Sequence, residues 1–174
     1  HLEEVGYDTY CRLLDEVVKE EQGIKVEPEH EVQIDLNVTS FIPDSYISDS
    51  NQKIEIYQDI ALCRNEKDIQ DVIDELIDRF GDIPNEVESL LEVSRIKQFA
   101  KNMGVVKISS KRNSVVFTYD NELFNESCIV PLIDKYGNRI SFSPGAKPMA
   151  TLKILNNSEN EILRETKDFL QTKY

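Results

Sequence analysis

The chain is acidic and long enough for one domain with an appended element. It has 174 residues, 40% of them hydrophobic and 30% charged, and a formal net charge of -13. These proportions are typical of a soluble globular protein, and a chain of this length can bury a core without disulfides. Because such a charge repels phosphate backbones, we expect no direct binding of nucleic acid and instead a basic partner.

The cysteines and the hydropathy indicate a cytoplasmic protein. Cys11, Cys63 and Cys128 are far apart and form no Cys-x-x-Cys pair, so we expect reduced thiols. No apolar run approaches the roughly 18 residues of a membrane span, and no signal peptide is recognisable. The chain begins at His1 with a stretch that reads as the middle of a helix, which indicates a piece of a longer protein.

The first part of the chain predicts a helix followed by a linker. Residues 1–20 carry apolar side chains at helical spacing, whereas residues 21–31 lack periodicity and contain Gly23, Pro28 and four glutamates. We therefore expect an N-terminal segment of residues 1–24, which belongs to whatever precedes it, and a domain of residues 25–174.

A strand and a helix come next. Apolar and polar residues alternate from Val32 to Val38, which predicts a half-buried strand, and Pro43 lies beyond the point where such a strand can continue. A helix is predicted for residues 51–64, with Ser50 as its N-cap.

The segment from Asn65 to Gly81 has the strongest helical pattern in the chain. Asn65 is the expected N-cap, Asp68 occupies the capping-box position, and Gly81 is the expected closing residue with positive φ. The apolar residues that recur along one helical face are Ile69, Val72, Ile73, Leu76, Ile77 and Phe80.

The opposite face of this helix carries a row of carboxylates, here called the acidic ridge. Its members are Asp71, Asp74, Glu75 and Asp78. Arg79 follows Glu75 by four residues and can pair with it along the helix. Such a face usually serves only solvation. The competing hypothesis is that the ridge docks onto a basic surface of another domain.

The remaining pattern mixes helices and hairpins. A long helix is predicted from Pro84 to Met103, with glutamates in its first turns and Lys or Arg in its last, an order that complements the helix dipole. The later elements are expected at residues 105–108, 115–119, 131–136, 140–142 and 150–155, followed by a helix that Ser158 caps. The order is strand, three helices, hairpin, helix, hairpin, helix. It predicts an α+β fold with helices packed on a small, mainly antiparallel sheet.

The sequence contains no recognisable catalytic or cofactor motif. Its six glycines form no phosphate-binding cluster, and His1 and His30 have no cysteines at zinc-site spacing. Asp74 and Asp78 could in principle serve a calcium site or acid–base chemistry, as in a metal-dependent hydrolase. We expect instead a non-enzymatic domain without a catalytic residue, a metal or a cofactor.

Several phrases, taken together, resemble the bacterial transcription-repair coupling factors. The phrases are Val5-Gly6-Tyr7-Asp8-x-Tyr10-Cys11-x-Leu13-Leu14, Phe41-Ile42-Pro43-Asp44-x-Tyr46-Ile47, Tyr57-x-x-Ile60-Ala61 and Glu75-Leu76-Ile77-Asp78-Arg79-Phe80-Gly81. The first is similar to the segment that follows the helicase motor of that family, and the others are similar to its C-terminal domain. The resemblance covers nearly the whole chain.

This resemblance implies a regulatory role. The full-length family protein is an ATP-dependent translocase on double-stranded DNA, with ATP and magnesium in its motor, that displaces stalled RNA polymerase and recruits excision repair through UvrA. Its C-terminal domain packs against the N-terminal UvrA-binding module of the same chain and masks it. The resemblance further implies that the helix of residues 1–20 hooks back on the motor and couples it to DNA translocation, although the glycine-rich stretch that precedes this element in the family is not in the sequence.

The family's docking residues fall on the Glu-x-x-Asp-Arg pattern of this sequence. They correspond to Glu75, Asp78 and Arg79, and Asp71 and Asp74 extend the same acidic ridge. The resemblance therefore implies that the ridge is the docking face. The alternative is that the domain only braces the motor and has no specific docking face.

Overall fold

A computed structural model of the chain describes residues 31–174. The predicted helix of residues 1–20 and the proposed boundary at residue 24 lie outside this range. The described residues divide into two units. We call residues 39–95 the helical unit, and residues 31–38 together with 96–174 the sheet unit.

The helical unit is built from helices that local capping fixes. It contains α1 (Ser50–Ala61), α2 (Glu66–Phe80) and the first part of α3 (Asn85–Asn102). The predicted cap of α1 is wrong by one residue: Asp49 is extended and accepts a hydrogen bond from the Gln52 amide, and Ser50 is the first helical residue.

The N-cap and the closing residue predicted for α2 are confirmed. The Asn65 side chain accepts the Asp68 amide at 2.9 Å. The Asp68 carboxylate accepts the amide of Arg64 at 3.0 Å, one residue before the N-cap amide that a capping box would use. Gly81 closes the helix with φ of +87°, and its amide donates to the Ile77 carbonyl. These bonds satisfy backbone groups that the helix ends leave free.

The apolar face of α2 is narrower than the sequence predicts. Ile69, Val72 and Leu76 are buried, but Ile77 is 49% exposed. Ile77 follows Leu76 by one residue and is rotated about 100° from the centre of the buried face. The prediction that Ile77 belongs to the buried face is therefore wrong.

The sheet unit contains five strands in the order β1-β2-β3-β5-β4. The strands are β1 (Gln33–Asp35), β2 (Val105–Lys111), β3 (Ser114–Tyr119), β4 (Ile140–Ser143) and β5 (Met149–Lys153). β1 pairs with β2 in parallel, and the other neighbours are antiparallel. The prediction of a mainly antiparallel sheet is confirmed.

The edge strand β1 is shorter than predicted. After Asp35 the backbone leaves the ladder, because the Asn37 amide donates to the Ser110 hydroxyl at 2.7 Å and the Val38 amide donates to the Leu36 carbonyl. These bonds satisfy donors that would otherwise continue the parallel pairing. β1 therefore ends three residues before the predicted limit at Val38.

The sheet unit has one helix between β3 and β4 and another after β5. α4 (Ile129–Tyr136) begins two residues before the predicted Pro131, which lies in the first turn where no helical hydrogen bond needs its missing N–H. α5 (Glu159–Leu170) begins after the predicted cap, since the Ser158 hydroxyl accepts the Glu161 amide at 3.3 Å.

One face of the sheet forms the core of this unit. Ile108, Phe117 and Ala150 lie opposite one another on β2, β3 and β5, and all three are buried. The Phe117 ring stacks on Phe169 of α5 with centroids 3.8 Å apart. The buried row and this stacked pair therefore hold α5 on the sheet.

Phe169→Ala tests this packing. Phe169 is fully buried, so its truncation leaves a cavity in the core and should lower the free energy of unfolding by about 3–5 kcal/mol in urea titrations. Leu155→Ala is the matched control, because Leu155 is 80% exposed and its truncation should change the stability by less than about 0.5 kcal/mol. Equal effects of the two variants would contradict the assigned core.

Candidate functional site

The acidic ridge lies on the surface of α2. Asp71, Asp74 and Asp78 are exposed and Glu75 is half-buried. Lys67 lies 4.0 Å from Asp71, but Asp74 and Asp78 form no ion pair with any residue of the described range 31–174. Two carboxylates of the ridge are therefore available to cations from outside the helical unit.

Arg79 and Glu75 face the neighbouring helix α1. The Arg79 Nη1 donates to Glu75 Oε1 at 2.9 Å, which confirms the predicted pair. The same nitrogen donates to Glu55 Oε1 of α1 at 3.1 Å, and the guanidinium lies over the Phe80 ring at 4.9 Å. Arg79 thus bridges α1 and α2, and its guanidinium is held in place on three sides.

The bridge brings together carboxylates that are far apart in the sequence. Carboxylate oxygens of Glu55, Asp59 and Glu75 lie within 4.8 Å of one another. Glu55 and Asp59 were missed by the sequence analysis. Their spacing of four residues on α1 shows that they share a helix face, but it does not show which helix they meet.

Crowding changes the proton affinity of one member of this cluster. Burial raises the pKa of Asp59, and the negative charges of Glu75 and Glu55 raise it further, whereas Arg79 acts in the opposite direction. Three carboxylate oxygens are ligands that Mg²⁺ or Ca²⁺ prefers. Here, however, Arg79 bonds two of the three groups, so a cation of the protein already balances much of their charge.

A groove runs beside the cluster, between α1 and α2. It has a volume of about 390 Å³ and includes Leu62, Cys63 and Val72 with the carboxylates of Asp68 and Asp71. Burial, and then the nearby carboxylates, raise the pKa of Cys63 to about 11. The thiol is therefore protonated at neutral pH, which does not suit a nucleophile.

The free thiols agree with the sequence where the structure describes them. Cys63 and Cys128 form no disulfide. Cys11 lies outside the described residues.

The segment before α1 fastens the helical unit internally. The Tyr57 hydroxyl accepts the Ile42 amide at 2.9 Å, and the buried Lys53 forms an ion pair with Asp44. The Tyr46 hydroxyl donates to the Gly81 carbonyl at 2.9 Å. Tyr46 therefore anchors the end of α2, close to Asp78 and Arg79.

The start of α2 is anchored as well. Arg95 of α3 donates from Nε and Nη2 to the two carboxylate oxygens of Glu66 at 2.9 and 2.8 Å. This two-point bond is the stronger geometry for an Arg–carboxylate pair. α2 is thus held near both ends and along one side, while the ridge remains exposed.

No helix of residues 31–174 combines the length and the apolar character needed to cross a bilayer.

The raised pKa of Asp59 predicts a pH-dependent stability. A carboxyl whose pKa rises on folding stabilises the fold at low pH, and this contribution is lost as the pH rises through the folded-state pKa. We expect Asp59→Asn to match the parent below about pH 4, where this carboxyl is protonated in the folded and in the unfolded state. At neutral pH it should be more stable by about 0.2–1 kcal/mol, as measured by urea unfolding across a pH series.

Asp74→Asn is the control, because Asp74 is exposed and lies outside the cluster. Its stability should follow that of the parent at every pH. A loss of stability in Asp59→Asn at neutral pH would show that the charge of Asp59 supports the fold.

Comparison with known proteins places this arrangement in a family. A family model described as the TRCF domain matches residues 36–127. The transcription-repair-coupling factor of Staphylococcus haemolyticus is 41% identical over 116 residues, which are 66% of this chain and 10% of that protein. That of Staphylococcus aureus is 42% identical over 113 residues, 63% of this chain and 10% of that protein. The chain therefore spans about a tenth of the length of these relatives.

The fold has a counterpart among solved structures. A crystal structure of the C-terminal domain of a transcription-repair coupling factor superposes with a TM-score of 0.72 at 24% sequence identity. The match covers 84% of this chain and 94% of that one, and it confirms the predicted α+β fold. Because the family model matches more than half of the residues, the chain belongs to the TRCF domain family.

Proposed function

We propose that the chain is the C-terminal regulatory domain of a transcription-repair coupling factor. The family match and the relatives' names support this proposal. In the full-length protein, a motor that uses ATP and magnesium would act on double-stranded DNA, with RNA polymerase and UvrA as partners in the cytoplasm. The helix of residues 1–20 would contact the motor and help to couple it to DNA translocation, and the domain itself would contribute no catalytic group.

We further propose that the acidic ridge docks onto the N-terminal UvrA-binding module of the same protein and masks it. The observation that carries this proposal is the pair Asp74 and Asp78, exposed on α2 and without an ion-pair partner in residues 31–174. Arginines of the facing module can bind such carboxylates through charge-assisted hydrogen bonds. Glu75 and Arg79 would complete the docking face.

The architecture of α2 fits such a role. Tyr46 and Arg95 hold the helix near its two ends, and Arg79 fixes it against α1. A helix whose backbone is already held in place loses little backbone freedom on binding. The helix would therefore present its carboxylates from a fixed backbone.

Release fits the same arrangement. An exposed ion pair contributes only about 0.2–1 kcal/mol to binding. A few such pairs would therefore give weak binding if the domain and the module were separate molecules. Within one chain, however, the effective concentration of the module is on the order of millimolar, which favours the docked state. A partner that binds only the released state can then shift the population.

Asp78→Lys in the full-length protein tests the docking role. The substitution places a cation opposite the arginines that we expect on the UvrA-binding module, so docking should weaken and the module should be unmasked. We therefore expect several-fold more UvrA capture in a pull-down and a higher rate of ATP hydrolysis. Asp78 is exposed and does not take part in the Glu55–Arg79 bridge, so unfolding of the helical unit should not obscure the result.

Two variants serve as controls for this experiment. Asp134→Lys makes the same charge change at an exposed position of α4 and should leave UvrA capture unchanged. Glu55→Gln weakens the bridge to Arg79 and leaves the ridge intact, so it separates support of α2 from direct docking. UvrA capture by Asp78→Lys at the parental level would rule out the ridge as the mask.

The competing function is a structural brace for the motor. Tyr46, Tyr57 and Arg79 favour this function. They belong to the phrases that resemble the family, and each forms a hydrogen bond within the helical unit. A brace predicts that Asp78→Lys changes neither UvrA capture nor ATP hydrolysis. The docking experiment therefore decides between the two functions.

A further inference from the structure

The sheet has an open face that the proposed function does not use. Side chains alternate along each strand, so the neighbours of the buried row point to the opposite side, here called the outer sheet face. None of the side chains that the five strands direct to this face is buried. At the centre of this face are Ser109, Val116 and Thr151, which lie opposite one another on β2, β3 and β5.

Three lysines extend from the outer sheet face. Lys107 lies opposite Thr118, whereas Lys111 and Lys153 flank Ser114 from the two neighbouring strands. All three lysines are exposed, and none forms an ion pair with a carboxylate of residues 31–174. The single carboxylate on this face, Asp35 of β1, bonds to none of them.

The other cations of the sheet unit that lie beside α5 are paired, in contrast to these three lysines. Elsewhere in the sheet unit, Lys135, Arg139 and Arg164 each bond a carboxylate of α5. The sheet unit carries twelve Lys and Arg against ten Asp and Glu, whereas residues 39–95 carry five against fourteen. The outer sheet face is therefore a locally positive surface whose charge the described residues do not neutralise.

The spacing of these lysines is set by the strands. Lys107 and Lys111 are four residues apart on β2, about 13 Å, and Lys111 and Lys153 are two strands apart, about 10 Å. The hydroxyl group of Ser114 lies between Lys111 and Lys153, and that of Thr118 lies opposite Lys107. Together they offer separated cations and hydrogen-bond donors, which fit carboxylates spread over a surface rather than one small anion.

We propose that the outer sheet face binds an acidic protein segment, whose carboxylates pair with Lys107, Lys111 and Lys153. The net charge of the chain does not prevent this, because charges beyond about 10 Å are largely screened at physiological salt. A nucleic-acid strand fits less well, since the outer sheet face presents no aromatic side chain for base stacking and no arginine.

Binding of a fluorescein-labelled polyglutamate peptide to the 174-residue chain, followed by fluorescence anisotropy at physiological salt, tests the proposal. The triple variant Lys107→Glu, Lys111→Glu, Lys153→Glu should bind about tenfold more weakly or worse, because three attractive contacts become repulsive. Amide NMR signals of Ser109, Val116 and Thr151 should shift when the peptide is added to the parent.

A charge-matched variant with Lys67→Glu, Lys101→Glu and Lys173→Glu is the control, since these exposed lysines lie off the outer sheet face. It should retain most of the parental affinity. Equal losses in the two triple variants, or no peptide binding by the parent, would overturn the proposal. So would tighter binding of an oligothymidylate than of the peptide, which would identify a nucleic acid as the ligand of this face.

Discussion

The arrangement of the helical unit depends on one guanidinium that serves two helices. Arg79 bonds Glu75 on its own helix and Glu55 on the preceding one, beside Asp59. A single exposed ion pair adds little to stability, but here the cation also separates like charges that would otherwise repel at close range. The bond between Arg79 and Glu55 therefore positions the face of α2 that carries Asp74 and Asp78, although neither aspartate takes part in it.

Local interactions were readable from the sequence, and contacts between distant segments were not. The caps at Asn65 and Ser158 and the Glu75–Arg79 pair depend on residues three or four positions apart, which one helix brings together. The contact of Glu55 with Arg79 spans 24 residues and requires the packing of two helices. No periodicity encodes that packing, so the sequence located the ridge without the cluster beside it.

The same limit applies to the sheet and to the buried faces. The strands of the sheet were predicted nearly in place. Their order was not, because β5 pairs with β3 and separates it from β4, and no pattern in the sequence specifies this order. Ile77 also shows that an apolar residue at helical spacing can lie outside the core. The phrases that identified the family were informative about architecture, since Tyr46 and Tyr57 are engaged in fastening the loop before α1.

The two edge strands of the sheet are also very short. β1 contributes three residues and β4 contributes four, with Pro144 directly after β4. A long, flat edge strand would offer a row of free amides and carbonyls to which another chain could add a strand. Edge strands as short as β1 and β4 can form only a few hydrogen bonds with such a strand. The domain can thus leave its broad polar surface open in a crowded cell with a low tendency to polymerise through its sheet.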